Sequence, residues 1–326
     1  MTDTIQKEKT DVKSTYEMGL RLLKSSYKSG KIFTSLPKSG IPLSHFDFLS
    51  LPALPSKDRK KIVKKFLSEN KILNIGTTGV FSWAIINTIK DYNDNEKLLL
   101  EKYFTECEEY FDCKVNAEGL LPTDVHDNWL GSADRIGILI ENQAYHAKIL
   151  DVLFLITEDD MYDFKKRRLM RAARNRLDGA YVLDKENSMD VRPNVFIAAF
   201  FAPELFMSKD WQKTFDASLK STDLWLNWGG LTTLGQSDVN FNPERDGESW
   251  FFVNNMAAIV LHRLDSGKYA EKIKAILRAS TENAAWQEHT GRPCEVVFTM
   301  DKQIKARGLY GLSIATFIYL YRIYSS

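Results

Sequence analysis

Apolar residues recur at three- and four-residue spacing along most of this chain, and that period predicts helices. Eleven are expected: Tyr16–Tyr27, Lys57–Glu69, Gly79–Tyr92, Glu96–Asp112, Arg135–Ile156, Asp159–Leu177, Val195–Met207, Lys209–Leu224, Trp250–Leu264, Tyr269–Glu282 and Leu309–Tyr324. Two-residue alternation is scarce, and the strands expected are short: Gly179–Leu183 and Glu295–Thr299. Residues 1–14 are polar and read as a disordered tail, and Ser29–Ser56 is rich in Pro, Gly and Ser and reads as an ordered arm. The helices come in pairs joined by long loops that carry aromatic, Gly and acidic residues. Such loops on a helical scaffold are usually functional. No sequence repeat with a solenoid's period is present, so a closed toroid of helical hairpins is the expected all-α architecture.

Composition narrows the function classes. The 326 residues are 44% hydrophobic, enough for a sizeable core, and 44 Lys plus Arg against 43 Asp plus Glu leave a net charge of +1. That balance is not the footprint of a nucleic-acid binder. The basic stretches Lys57–Lys61 and Lys165–Arg176 read as solvated helix faces. Three cysteines, Cys107, Cys113 and Cys294, form no disulfide framework and no zinc spacing, which fits a reducing compartment without a structural metal. The polar N-terminus carries no signal-peptide pattern, and apolar runs such as Val195–Phe201 are too short to span a bilayer. A cytoplasmic protein with no membrane partner is expected.

The chemistry concentrates at helix entrances. HDNWLGSADRIGILIENQAY, from His126 to Tyr145, places two aspartates and a tryptophan ahead of a helix, then Glu141, Asn142 and Gln143 on it. One cap residue would suffice there. The surplus suggests a sugar cleft, with Trp129 stacking on a pyranose face or, alternatively, plugging the helix end. Asp134 directly precedes Arg135 and is the better cap, which leaves Asp127 the freer carboxylate. Glu141 falls on the buried stripe, where it needs either a task or an ion pair with Arg135 or Arg192. Arg192-Pro193-Asn194 forms a rigid corner suited to sugar hydroxyls or to tying helices together. Trp250 and Asn254 share a face of a later helix, and the loop Trp286–Glu295 holds Glu288 and Glu295 before the last one. There is no phosphate-cradling Gly-rich loop and no nucleophile elbow, so no cofactor is expected. Carboxylates and aromatics are the equipment of glycoside hydrolysis.

Taken in order, Glu118-Gly119-Leu120-Leu121, the Trp129 motif, Arg135-Ile136-Gly137 with Glu141 and Gln143, Arg192-Pro193-Asn194, Gly229-Gly230-Leu231-Thr232-Thr233-Leu234 and the helix after Asp246-Gly247 resemble the amylo-alpha-1,6-glucosidase family, the catalytic domain of glycogen debranching enzymes. The resemblance runs from about Ile75 to Ser326. It implies an (α/α)6 toroid of the six-hairpin glycosidase type and an inverting reaction whose base is Glu295, with Glu288 in reserve. The chain departs from the family where a Trp-Met-Asp acid motif becomes Trp129-Leu130-Gly131, so Asp127, with Asp134 in reserve, is the acid by proximity alone. The family's first helices are missing or replaced, which suggests a toroid open at its N-terminal side and closed by a second copy or another chain. The expected division is a tail 1–14, helices and arm 15–70, and the glycosidase-like domain 71–326. Trp129, Arg135, Glu141, Gln143, Arg192, Asn194, Trp250 and Asn254 are the expected carbohydrate-binding residues. The other reading is a catalytically altered glycan-binding or partner subunit on the same fold. A sugar isomerase, which would need histidines in the cleft, ranks third.

Overall fold

The computed structural model describes residues 2–28, 31–32, 47–69, 74–124, 135–177, 179, 181–188, 192–226, 228–235, 248–286, 296–298 and 311–326. The chain divides into two compact units, one of Met1–Leu43, Val191–Phe196 and Phe215–Ser326, the other of Ser44–Asp190 and Ile197–Thr214.

In the unit built on the first half of the chain, α2 (Ser56–Ser68), α3 (Ile75–Ile86), α4 (Asp94–Asp112), α5 (Ile140–Thr157) and α6 (Asp160–Leu177) carry the fold. Local chemistry sets their starts. The Asn74 side chain accepts from Thr77 N and begins α3, and Asn93 with Glu96 forms a reciprocal capping box at α4. Helix α3 therefore starts earlier than its apolar period suggested and carries Gly79 in its interior. A Cβ at Gly79 would lie 2.3 Å from Tyr145 Cβ, so glycine is what lets α3 and α5 cross backbone to backbone. Both helices are buried on all sides rather than along a stripe. Helix α6 is the opposite case, with Leu169, Ala172 and Ala173 buried and a basic outer face, as its sequence indicates. Phe48, Phe66, Phe81, Tyr103 and Phe104 form an aromatic core beside α3, with Phe48 and Phe81 centroids 4.6 Å apart.

Helix α5 begins at Ile140, five residues after the expected Arg135. Gly137 adopts φ +95°, and Leu139 is extended and bridged to Lys185, so the chain cannot yet be helical there. Glu158 ends α5 in the left-handed conformation, donating to Phe154 O at 2.9 Å, and α6 follows at once. Within the expected strand Gly179–Leu183, Val182 is the one described residue with bridge geometry; its N–H donates to Thr214 Oγ1 at 2.8 Å, and Leu183 N donates to Leu177 O at 2.8 Å.

The other unit contains α1 (Thr2–Ser26), the short pair β1 (Tyr27–Lys28) and β2 (Lys31–Ile32), β3 (Glu248–Trp250), α9 (Phe251–Asp265), α10 (Ala270–Trp286), β4 (Val296–Phe298) and α11 (Gly311–Ser325). Helix α1 packs on α11 and α10, with Tyr16 stacked on Tyr321 at 4.5 Å. It starts at Thr2, where a disordered tail was expected. No Gly or Pro interrupts its first turns, the run from Gln6 to Lys9 consists of good helix formers, and the amphipathic part beyond Val12 extends it. Helix α9 is buried on all sides, as α5 is. Two further helices, α7 (Asn194–Phe201) and α8 (Ser208–Lys220), each cross the sequence boundary between the units. Helix α7 stops before its expected end because Pro203 cannot continue it. No helix among the described residues is long and apolar enough to cross a membrane.

Candidate active site

Most of the polar residues singled out in the sequence belong to the N-terminal ends of the two enclosed helices, α5 and α9. Each end is braced in a similar way, by an extended residue that bridges to a distant loop just before the helix starts.

Ahead of α5, Thr123 and Gly137 exchange backbone hydrogen bonds of 3.0 and 2.9 Å, and Thr123 Oγ1 also donates to Gly137 O at 2.9 Å. Residues 125–134, the segment with Asp127, Trp129 and Asp134, are therefore joined to the fold through a closed stem. These three residues lie outside the described residues, as do Glu288 and Glu295. Gln143 reaches back to the stem, its Nε2 donating to Leu121 O at 2.9 Å and its Oε1 accepting from Leu121 N at 3.0 Å. Its amide holds the stem in place.

Arg135 lies under the same stem, 1% exposed. Its guanidinium donates to Glu141 Oε1 at 2.6 Å and is paired with Asp184 on the other side. The two open possibilities for Glu141 are thus resolved toward the ion pair, and with Arg135 rather than Arg192. Both Arg135 and Glu141 are enclosed by protein. Asp184 was missed by sequence reasoning. It sits 49 positions beyond Arg135 and shares no motif with it. Its backbone carbonyl also accepts from Ile140 N at 3.1 Å, so one residue braces the helix start through both main chain and side chain. Burial pushes the Glu141 carboxyl above its usual range, Arg135 opposes that, and Asp184 reinforces it.

Ahead of α9, Trp250 pairs with Val296 and Ser249 with Val297 in the β3–β4 ribbon. Asn254 accepts from Leu231 N at 2.9 Å and donates to Ser249 Oγ at 3.0 Å, so it holds the Gly229–Leu231 turn against the ribbon. That turn needs its glycines: Gly229 has φ +101°, and a Cβ on Gly230 would strike the Trp228 ring at 2.1 Å. Asn254 is therefore a positioning residue. Trp250 is half-buried at the ribbon's end, and Arg192 and Asn194, at the start of α7, are both buried. Asn255, not among the expected binding residues, accepts from Ser280 Oγ at 2.6 Å and donates to Thr316 Oγ1 at 3.2 Å, linking α9 to α10 and α11. Its only sequence signal was its place beside Asn254.

Among the described residues no cluster of His, Cys, Asp or Glu is placed to hold a metal. What each helix end offers is a rigid backbone platform from which a segment carrying carboxylates departs.

Solved structures share this fold nearly end to end. A GH63 mannosylglycerate hydrolase from Thermus thermophilus, in complex with glucose, aligns with a TM-score of 0.66 at 11% identity, over 94% of this chain and 99% of that one. A wild-type glycosidase aligns at 0.68 with 10% identity, over 98% of each chain. A D-mannose isomerase aligns at 0.63 with 14% identity, over 97% of each. The chain thus has the all-α, six-hairpin glycosidase-like fold. No protein-family model matches the sequence, and no curated protein does.

Proposed function

We propose that this protein is an inverting glycoside hydrolase acting on α-linked gluco-oligosaccharides, with Asp127 as general acid and Glu295 as general base. The observation that carries the reading is the bracing of the two helix ends. The segment with Asp127 leaves a stem closed by Thr123 and Gly137, and Glu295 directly precedes Val296, whose pairing with Trp250 opens α9. The fold is supporting ground, since one fold hosts many chemistries.

In this mechanism Asp127 gives its proton to the glycosidic oxygen as the bond from the anomeric carbon breaks. Water attacks that carbon from the opposite face while Glu295 takes its proton. The carboxyls must then stand roughly 6.5–9.5 Å apart. Asp134 and Glu288 are the reserve acid and base. Trp129 and Trp250 supply the apolar faces for stacking. An α-1,6 branch point is the finer reading, drawn from the debranching-enzyme resemblance.

The second reading, a glycan-binding or partner subunit without turnover, is favoured by one observation: Gly131 stands where the resembling family has its acid. Proton NMR of the protein with linear and 1,6-branched gluco-oligosaccharides separates the two. β-Glucose appearing before mutarotation supports the inverting hydrolase. Broadened sugar lines without product support the binding reading. Conversion of free mannose to fructose in a parallel sample would replace both with an isomerase.

A further inference from the structure

One guanidinium serves two buried carboxyls at the start of α5. Arg135, Glu141 and Asp184 are 1%, 0% and 2% exposed, and the one guanidinium contacts both carboxyls. With both carboxyls ionised, these three groups would hold a net negative charge away from water, which is costly at any realistic interior dielectric. Arginine does not lose its proton in proteins, so a proton that relieves the repulsion between the two carboxyls sits on a carboxyl.

Glu141 faces no second cation among the described residues. Helix α3, packed along α5, has no titratable side chain in its sequence IGTTGVFSWAII. On α5 itself Tyr145 is one turn away, and burial pushes its phenol well above its usual range. His146 is engaged by Glu108 of α4 at 3.0 Å, and Glu108 is in turn engaged by Lys165 of α6 at 3.1 Å. Lys148 turns away to Asp151 and Glu204. The charges that act on Glu141 are those of Arg135, which favours ionisation, and Asp184, which opposes it.

The two carboxyls are not equivalent. Glu141 Oε1 accepts from Arg135, but Oε2 is buried and meets no hydrogen-bond partner among the described residues. An ionised oxygen left in that position would lack every compensation that water or a donor provides. A protonated one loses far less. Two like charges on one buried site resolve in the same way in other proteins, with one carboxyl keeping its proton.

We infer that Glu141 is held as a neutral carboxylic acid with its proton on Oε2, while Arg135 and Asp184 form the charged pair. Loss of the Glu141 proton places a second negative charge against Asp184 in a site closed to water. This inference does not depend on the hydrolase reading, and its test uses no turnover.

Infrared difference spectra of the intact protein, wild type against Glu141→Gln, read the proton directly. At neutral pH the wild type should show the carbonyl stretch of a protonated carboxyl that Glu141→Gln lacks. Asp184→Asn should abolish that band, because Glu141 then becomes the counter-ion of Arg135 and ionises. A wild-type spectrum without the band at neutral pH, or a band that survives Asp184→Asn, overturns the inference. If either variant fails to fold, wild-type protein labelled with ¹³C at the glutamate carboxyl carbon gives the same decision. One resonance should stay at the protonated position through neutral pH, and titration of every glutamate in the ordinary acidic range refutes the assignment.

Discussion

Gln143 and Leu121 hold each other through two hydrogen bonds, 22 residues apart in sequence: the side-chain amide donates to Leu121 O at 2.9 Å and accepts from Leu121 N at 3.0 Å. Both partners are buried, so neither can turn to water if the other is lost. Gln143→Leu is expected to lower unfolding free energy by about 3 kcal/mol, since two buried backbone groups lose their partners. Gln143→Glu should recover little, because a carboxylate cannot donate to the Leu121 carbonyl. Urea unfolding followed by circular dichroism measures both, and a loss below about 1 kcal/mol for both variants would show that the stem does not need this amide.

Gly79 and Gly76 stand one turn apart on α3 and should respond oppositely to alanine. At Gly79 the new Cβ meets Tyr145 Cα at 2.6 Å, whereas at Gly76 the nearest atom is Tyr145 Cε2 at 3.7 Å. Gly79→Ala should cost about 3 kcal/mol or prevent folding, as overpacking of backbone against backbone has no cheap relief. Gly76→Ala should be neutral or stabilise by up to about 0.5 kcal/mol, through the higher helix propensity of alanine. Thermal unfolding of the pair is the check, and equal effects would mean that α3 and α5 do not cross here.

Lys148, Lys166, Asp151 and Glu204 close a ring of alternating charge, with both lysines 2.8 Å from Glu204. Burial pushes the Glu204 carboxyl up, but Lys148 and Lys166 outweigh it and bring it from 4.5 down to about 2. A depressed carboxyl stabilises the fold above its unfolded value and stops doing so as pH falls through the folded one. Glu204→Gln should therefore be less stable than wild type at neutral pH by roughly 1–2 kcal/mol after solvent screening. The difference should shrink between about pH 4.5 and pH 2. A difference that stays constant across that window would exclude the ion pairs as its source.

On the hydrolase reading, the acid and the base have separable signatures. Asp127→Asn should lose about 10²–10⁴ in kcat/KM on natural glycosides but far less on a dinitrophenyl glucoside, whose leaving group needs no proton. Glu295→Gln should lose a similar factor on both, with sugar affinity by calorimetry retained. Equal losses of Asp127→Asn on both substrates would remove it as the acid and direct attention to Asp134.

The helices were legible where a single local signal decided them. Helix α2, with its amphipathic stripe, and α6, with its charged face, fall within a residue or two of where their periods put them. Helix α5 was legible in its body but not at its start, because the deciding contact is the pairing of Leu139 with Lys185, a residue from another loop. The same distance hid Asp184. A buried glutamate on an apolar stripe announces that it needs a partner, and Arg135 six residues earlier could be named. The second carboxyl, beyond α6, leaves no trace in local spacing. Helix α1 escaped for another reason: its first turns are polar, so their helicity rests on residue propensity, a weak signal beside a buried stripe.

The paired stem at Thr123 and Gly137 has a consequence for engineering. Because the two ends are tied to each other, the entropic cost of lengthening the chain between them is set by loop closure. Loop-closure entropy rises so slowly that doubling the segment would cost only about 0.6 kcal/mol. The stem is therefore a natural graft junction for insertions between Thr123 and Gly137, with Leu121, Arg135 and Gln143 left in place as the anchors of its two ends.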